Sequence, residues 1–217
     1  MNPQLTATGK KIIVLGAIMG WLTLLAQLVL ILMNRRYSVP VTVIQFFSYF
    51  TILSNILVAL CFSFRAIGRE PSQFWQRAVT QGAIAVYIMV VGIVYNVVLR
   101  FLWAPTGAQK LVDELLHLVM PLYYLFYWIF FAPKQGMHWR DATRWLVFPF
   151  FYLAYVLVRG AMTNLYPYPF LDAYNHGYQK VLVSSLVILL LFLLLSLALI
   201  AAAKKLSARE QQELIAE

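Results

Sequence analysis

Hydrophobic positions in this chain fall into six runs of membrane length, separated by short polar and basic breaks. The runs are approximately 12–33, 44–64, 83–103, 111–132, 145–165 and 181–203. Each is long enough as a helix to cross about 30 Å of hydrocarbon at roughly 1.5 Å per residue. Open strands leave backbone groups unpaired in lipid, and the ten-residue alternation of a membrane barrel is absent, so the runs predict helices. The expectation is an all-α, polytopic bundle of six transmembrane helices forming a single domain over residues 1–217. The fifth run is interrupted by Arg159, and the sixth is almost purely Leu, Ile, Val and Ala. The first is too long for a typical signal core and lacks a small-x-small cleavage site, so it reads as a retained span.

Polar residues inside these runs carry the information. A strongly polar group in hydrocarbon is costly and marks a candidate site. In the second run Gln45, Ser48, Thr51 and Asn55 recur every three or four positions, which places them on one helical face. The bland alternative is that such hydroxyls bond the carbonyl a turn back, or help helices pack. In the fourth run Asp113, His117 and Tyr124 share a face at spacings of four and seven. His117 fits a general base, because imidazole titrates near neutral pH, and Asp113 fits the carboxylate that orients it. A packed core histidine and a solvated helix-end aspartate are the competing readings.

Asn96 and Arg100 share a face at the end of the third run, and Tyr152, Tyr155 and Arg159 share one in the fifth. Arg100 is expected to reach lipid headgroups. Arg159 is expected to pair with Asp113, Glu114 or Asp172, or to hold a substrate carboxylate.

Composition changes the picture only in its charge. Of 217 residues 62% are hydrophobic and 12% charged, and the mean hydropathy is +0.76, so a soluble domain is excluded. The net charge of +9 would suggest nucleic acid in a soluble protein. Here the basic residues sit in short loops, where they orient the spans and meet membrane lipids, and no nucleic-acid partner is expected. With the N-terminus inside, eleven Lys and Arg lie on that side, Arg69 among them, and six on the other. This balance puts both termini in the cytoplasm. In that orientation Thr51 lies about 11 Å and His117 about 9 Å below the outer edge, with Arg159 in the same half.

The segment Tyr166-Pro167-Tyr168-Pro169-Phe170-Leu171-Asp172 reads as a rigid cap at the outer interface, and Ser207–Glu217 as a short surface helix or frayed end. Cys61, the only cysteine, lies in an apolar run and reads as packing. Its three histidines lie on opposite faces and show no zinc-ligand spacing, and there is no phosphate-binding glycine loop, nucleophile elbow or haem motif. No metal or cofactor is expected.

Several motifs in order resemble a bacterial six-span membrane family. They are Phe46-Phe47-Ser48-Tyr49-Phe50-Thr51-Ile52-Leu53-Ser54-Asn55, then Leu116-His117-Leu118-Val119-Met120-Pro121, then Arg159-Gly160-Ala161 and the Tyr-Pro-Tyr-Pro-Phe-Leu-Asp loop. The resemblance covers roughly Gln45 to Tyr178. That family is similar to the eukaryotic androgen-induced integral membrane hydrolases, which cleave fatty acid esters of hydroxy fatty acids with a membrane threonine and a histidine. The resemblance implies a bacterial inner-membrane hydrolase of a lipid or fatty-acyl ester. It puts the nucleophile on Thr51 and the base on His117, in a site toward the outer leaflet. Candidates for binding substrate or its oxyanion are Ser48, Asn55, Asn96, Arg100, Asp113, Tyr124 and Arg159. A small transporter and a non-catalytic lipid-binding or scaffold protein are the alternatives from other classes. Against transport, the spans show no inverted repeat and no paired broken helices.

Overall fold

The computed structural model describes residues 7–68 and 73–216. Arg69, counted above among the inner charges, and Glu217 lie outside them. The described residues form helices and no strand, and six helical segments are long and apolar enough to cross a membrane. The chain is thus an integral membrane helical bundle in its fold.

In chain order the helices are α1 (Ala7–Met33), α2 (Val39–Phe47), α3 (Phe50–Ile67), α4 (Gln73–Gln76), α5 (Ala78–Val97) and α6 (Gly107–Glu114). They continue with α7 (Met120–Phe131), α8 (Asp141–Arg144), α9 (Val147–Thr163) and α10 (Ala173–Ala216). Single turns of 3₁₀ helix cover Leu99–Phe101 and Pro169–Leu171. Helix α5 is the most enclosed span and packs against α3, α7 and α10, while α1 lies against α3 and α7. The outer face of α10, with Val183, Val187, Leu190 and Leu194, is exposed as a lipid-facing surface would be. Lipid tails are as apolar as these side chains, so close packing and interhelical hydrogen bonds hold such a bundle together.

The structure corrects three expectations. The second run is not one helix: it breaks at Ser48–Tyr49, between α2 and α3. The residue at the start of α3, Tyr49, offers no side-chain cap. Two phenols from distant segments supply it instead. Tyr152 donates to the Ser48 carbonyl (3.0 Å) and accepts the Phe50 N–H (3.2 Å), and Tyr168 accepts the Thr51 N–H (3.2 Å). These bonds satisfy donors that every helix start leaves open.

The fourth run is not uniformly α-helical either. Between α6 and α7 the residues Leu115–Val119 form a π-turn, in which the Met120 N–H reaches back five residues to the Leu115 carbonyl. Pro121 is the reason the ladder has to adapt, because it has no N–H for the His117 carbonyl one turn before it. Two carbonyls are therefore left without ladder donors, and neighbouring helices provide them. Asn55 Nδ2 donates to the Leu116 carbonyl (3.3 Å), and Asn96 Nδ2 to the His117 carbonyl (3.1 Å). Helix α5 comes close enough for this because of Gly92, where a Cβ would stand 3.2 Å from the Pro121 Cβ and 3.4 Å from the His117 oxygen.

Third, the C-terminal segment is neither frayed nor a separate helix: α10 continues to Ala216, broken only at Gly177 (φ 77°).

Candidate active site

Thr51 is the second residue of α3 and is buried, as are Asp113 and His117. The Thr51 Oγ1 lies 3.2 Å from His117 Nε2. The other imidazole nitrogen, Nδ1, lies 2.9 Å from the Asp113 carbonyl oxygen and 3.2 Å from Asp113 Oδ1. Both of those oxygens are acceptors, so the ring proton belongs on Nδ1 and Nε2 is left to accept the Thr51 hydroxyl. Asp113 Oδ2 accepts a hydrogen bond from Tyr95, whose ring also stacks on the imidazole at 3.9 Å and 16°. The carboxylate thereby holds the imidazole by one oxygen and Tyr95 by the other. This is the geometric order of a nucleophile–base–orienting acid triad.

Tyr168 stands on the other side of Thr51. Its hydroxyl is 3.3 Å from Thr51 Oγ1 and, as noted, accepts the Thr51 N–H. Burial pushes its phenol up to about 12, against the pull of the Thr51 hydrogen bonds, so it stays neutral and keeps a proton to donate. The loop arrives here through Gly160: a Cβ there would lie 2.0 Å from the Tyr166 ring, so only glycine lets the ring rest on α9. Tyr168 and Leu171 are then turned into the bundle, where an interfacial cap was expected.

The candidate residues from the sequence separate into three groups. Thr51, His117 and Asp113 come together. Asn55, Asn96 and Arg100 support them without facing the cavity beside Thr51. Each asparagine Nδ2 donates both to a π-turn carbonyl and to the carbonyl one turn back in its own helix, that of Thr51 (2.9 Å) for Asn55 and that of Gly92 (2.8 Å) for Asn96. Asn96 Oδ1 accepts from Arg100 Nε (3.0 Å). Arg100 also donates to Glu114 (2.6 Å) and lies over the Tyr95 ring, so it clamps the far side of the π-turn.

Ser48, Tyr124 and Arg159 lie elsewhere. The break before α3 takes Ser48 off the face of Thr51, and its hydroxyl donates to the Ile44 carbonyl (2.6 Å) and meets Tyr155 (3.0 Å). The extra residue in the π-turn breaks the seven-residue spacing that put Tyr124 beside His117. Tyr124 instead meets Cys61 Sγ (3.4 Å) and the Gln81 carbonyl (3.4 Å). Arg159 donates to the Leu165 carbonyl (3.1 Å) and Gln45 Oε1 (3.2 Å) and pairs with none of the three acids expected. Asp172 instead accepts from Asn175 at the start of α10.

Sequence reasoning missed Tyr95 and Tyr168 as site residues. Tyr95 lies one position before Asn96, and Tyr168 is the residue bracketed by two prolines. That bracket was the available signal for a side chain held in one direction.

Thr51 borders two cavities, of about 630 and about 280 Å³. Among the described residues no group of three or more His, Cys, Asp or Glu is placed to hold a metal ion. A buried hydroxyl beside an oriented imidazole, with a phenol donor and open volume on both sides, is the kind of arrangement that acyl-transfer chemistry uses. No protein-family model, no curated protein and no solved structure matches this chain.

Proposed function

We propose that this protein is an intramembrane hydrolase of lipid esters, with Thr51 as nucleophile and His117 as general base. The observation that carries the reading is the 3.2 Å approach of Thr51 Oγ1 to His117 Nε2, with Nδ1 held by Asp113. In the first half-reaction Oγ1 bonds to the ester carbonyl carbon as His117 Nε2 takes the hydroxyl proton. The oxyanion is stabilised by the Tyr168 hydroxyl and by the N-terminal end of α3, whose dipole is positive. The bond to the alcohol oxygen then breaks, and His117 returns the proton to that oxygen. Water repeats the sequence and releases the acyl group as a carboxylic acid.

The motif resemblance supports fatty acid esters of hydroxy fatty acids as a first substrate class, and a bacterial inner membrane with the site toward the outer leaflet. The test uses detergent-solubilised wild type, Thr51→Ala and His117→Ala proteins that elute as folded species on size exclusion. Fluorophosphonate labelling and ester turnover in wild type, lost in both variants, are the expected result. Turnover retained in both variants would sink the proposal.

A further inference from the structure

The two cavities beside Thr51 differ in chemistry. Thr51, Tyr95, Leu99 and Tyr168 border both, whereas His117 and Asp113 border only the larger. The smaller lies among α5, α9 and α10 and is almost wholly apolar, with Val90, Val91, Leu153 and Phe192 in its wall. The larger reaches the turn between α1 and α2 and includes Arg35 and Arg36. Among the described residues its only carboxylate is Asp113, already engaged by His117 and Tyr95. Arg35 donates to the Leu32 carbonyl (3.0 Å), and Arg36 makes no side-chain hydrogen bond or ion pair among the described residues. Two guanidinium groups with spare donors and no acid paired with them among the described residues suit an anion.

The position of His117 fixes which half of an ester belongs where. The proton that leaves Thr51 must reach the alkoxide oxygen through Nε2, so the leaving alcohol has to stand on the side that His117 borders. We infer that the acyl chain lies in the smaller cavity and the alcohol part in the larger, where Arg35 and Arg36 hold a terminal anion on that alcohol. This inference rests on the hydrolase reading. The anion is a carboxylate, as on a hydroxy fatty acid, or a phosphate, as on glycerol phosphate. The arginines reach either through the same forked contacts.

The experiment crosses two changes with two halves of the substrate. The double variant Arg35→Gln/Arg36→Gln and the single variant Leu186→Trp are compared with wild type. Leu186 borders the smaller cavity and is 55% exposed, so a larger side chain can narrow that cavity without entering the core. The substrates are acyl esters of 12-hydroxystearate, of its uncharged methyl ester, and of glycerol 3-phosphate, each with short and long acyl chains. The arginine variant is expected to lower the preference for anionic over uncharged alcohol about tenfold, through KM. Loss confined to one anion identifies the source. Leu186→Trp is expected to shift preference toward short acyl chains while the charged-to-uncharged ratio holds. Equal losses on charged and uncharged esters, or an acyl-length effect from the arginines, would overturn the assignment. Direct binding of 12-hydroxystearate separates the two failures. Equal affinity in wild type and the arginine variant overturns the anion subsite even where hydrolysis persists. Arginine-dependent binding with no turnover of any ester overturns the hydrolase reading and leaves the anion subsite standing.

Discussion

Two buried polar clusters sit between the same three spans, about ten positions apart on α3, which is roughly 15 Å. Around Thr51, side chains from α3, α5 and the π-turn leave a hydroxyl and an imidazole facing open volume. Around Gln81 the polar groups face only one another. Tyr127 donates to Gln81 Oε1 (2.8 Å), Arg65 Nε donates to Tyr127 (3.1 Å), and Gln81 Nε2 donates to the Trp75 carbonyl (2.9 Å). Cys61 and Tyr124 complete that cluster, packed on Phe62 and bordering neither cavity. The comparison teaches that polarity inside a span is not enough to mark a site. A site keeps hydrogen-bonding capacity unspent and room beside it, whereas a structural cluster uses up both.

Substitutions can break that contrast. Thr51→Ala and His117→Ala are expected to lower kcat for ester hydrolysis by at least about 10³-fold with the folded elution profile retained. Asp113→Asn should cost on the order of 10²–10³-fold, because the amide can present an N–H to Nδ1 and favour the wrong tautomer. A rise in KM alone, with kcat intact, would remove Asp113 from the triad. Tyr168→Phe is expected to reduce kcat about 10²-fold, the scale of one lost oxyanion donor.

The Gln81 cluster should respond in the opposite way. Gln81→Leu leaves Tyr127 without its acceptor and the Trp75 carbonyl with only the weak Cys61 thiol donor (4.0 Å), at a cost of about 1–3 kcal/mol. A lowered Tm with unchanged kcat per folded molecule is the expected outcome, and a selective loss of kcat would erase the distinction between the clusters. The smallest effect concerns alkali. The Tyr168 phenol is raised from 10.0 to about 12 in the fold, so its contribution is complete below pH 10.0 and is lost as pH rises through about 12. Thermal melts over that window should fall less steeply for Tyr168→Phe than for wild type.

Much of this was legible in the sequence, for identifiable reasons. Span number follows from the length of apolar runs, and Thr51 with His117 follows from polar residues where hydrocarbon should exclude them. Tyr95 and Tyr168 escaped because tyrosine is ordinary at membrane interfaces, so neither stood out by type. Tyr124 was misplaced because helical spacing assumes an unbroken 3.6-residue period, and the π-turn adds a residue between it and His117. Ser48 was misplaced by the same assumption, at the break before α3. Asn55 and Asn96 were recognised as inward-facing, but the sequence does not show where their amide donors go. Their partners are backbone carbonyls that the Met120-Pro121 pair leaves open, a need that proline itself announces.

That need has a consequence for how the protein is built. The span containing His117 has two carbonyls that its own ladder does not satisfy, and bare lipid offers them nothing. Their donors, Asn55 and Asn96, belong to α3 and α5, which precede it in the chain. During stepwise insertion from the N-terminus both amides are thus already in the bilayer when the π-turn arrives. Order of synthesis and order of dependence run the same way.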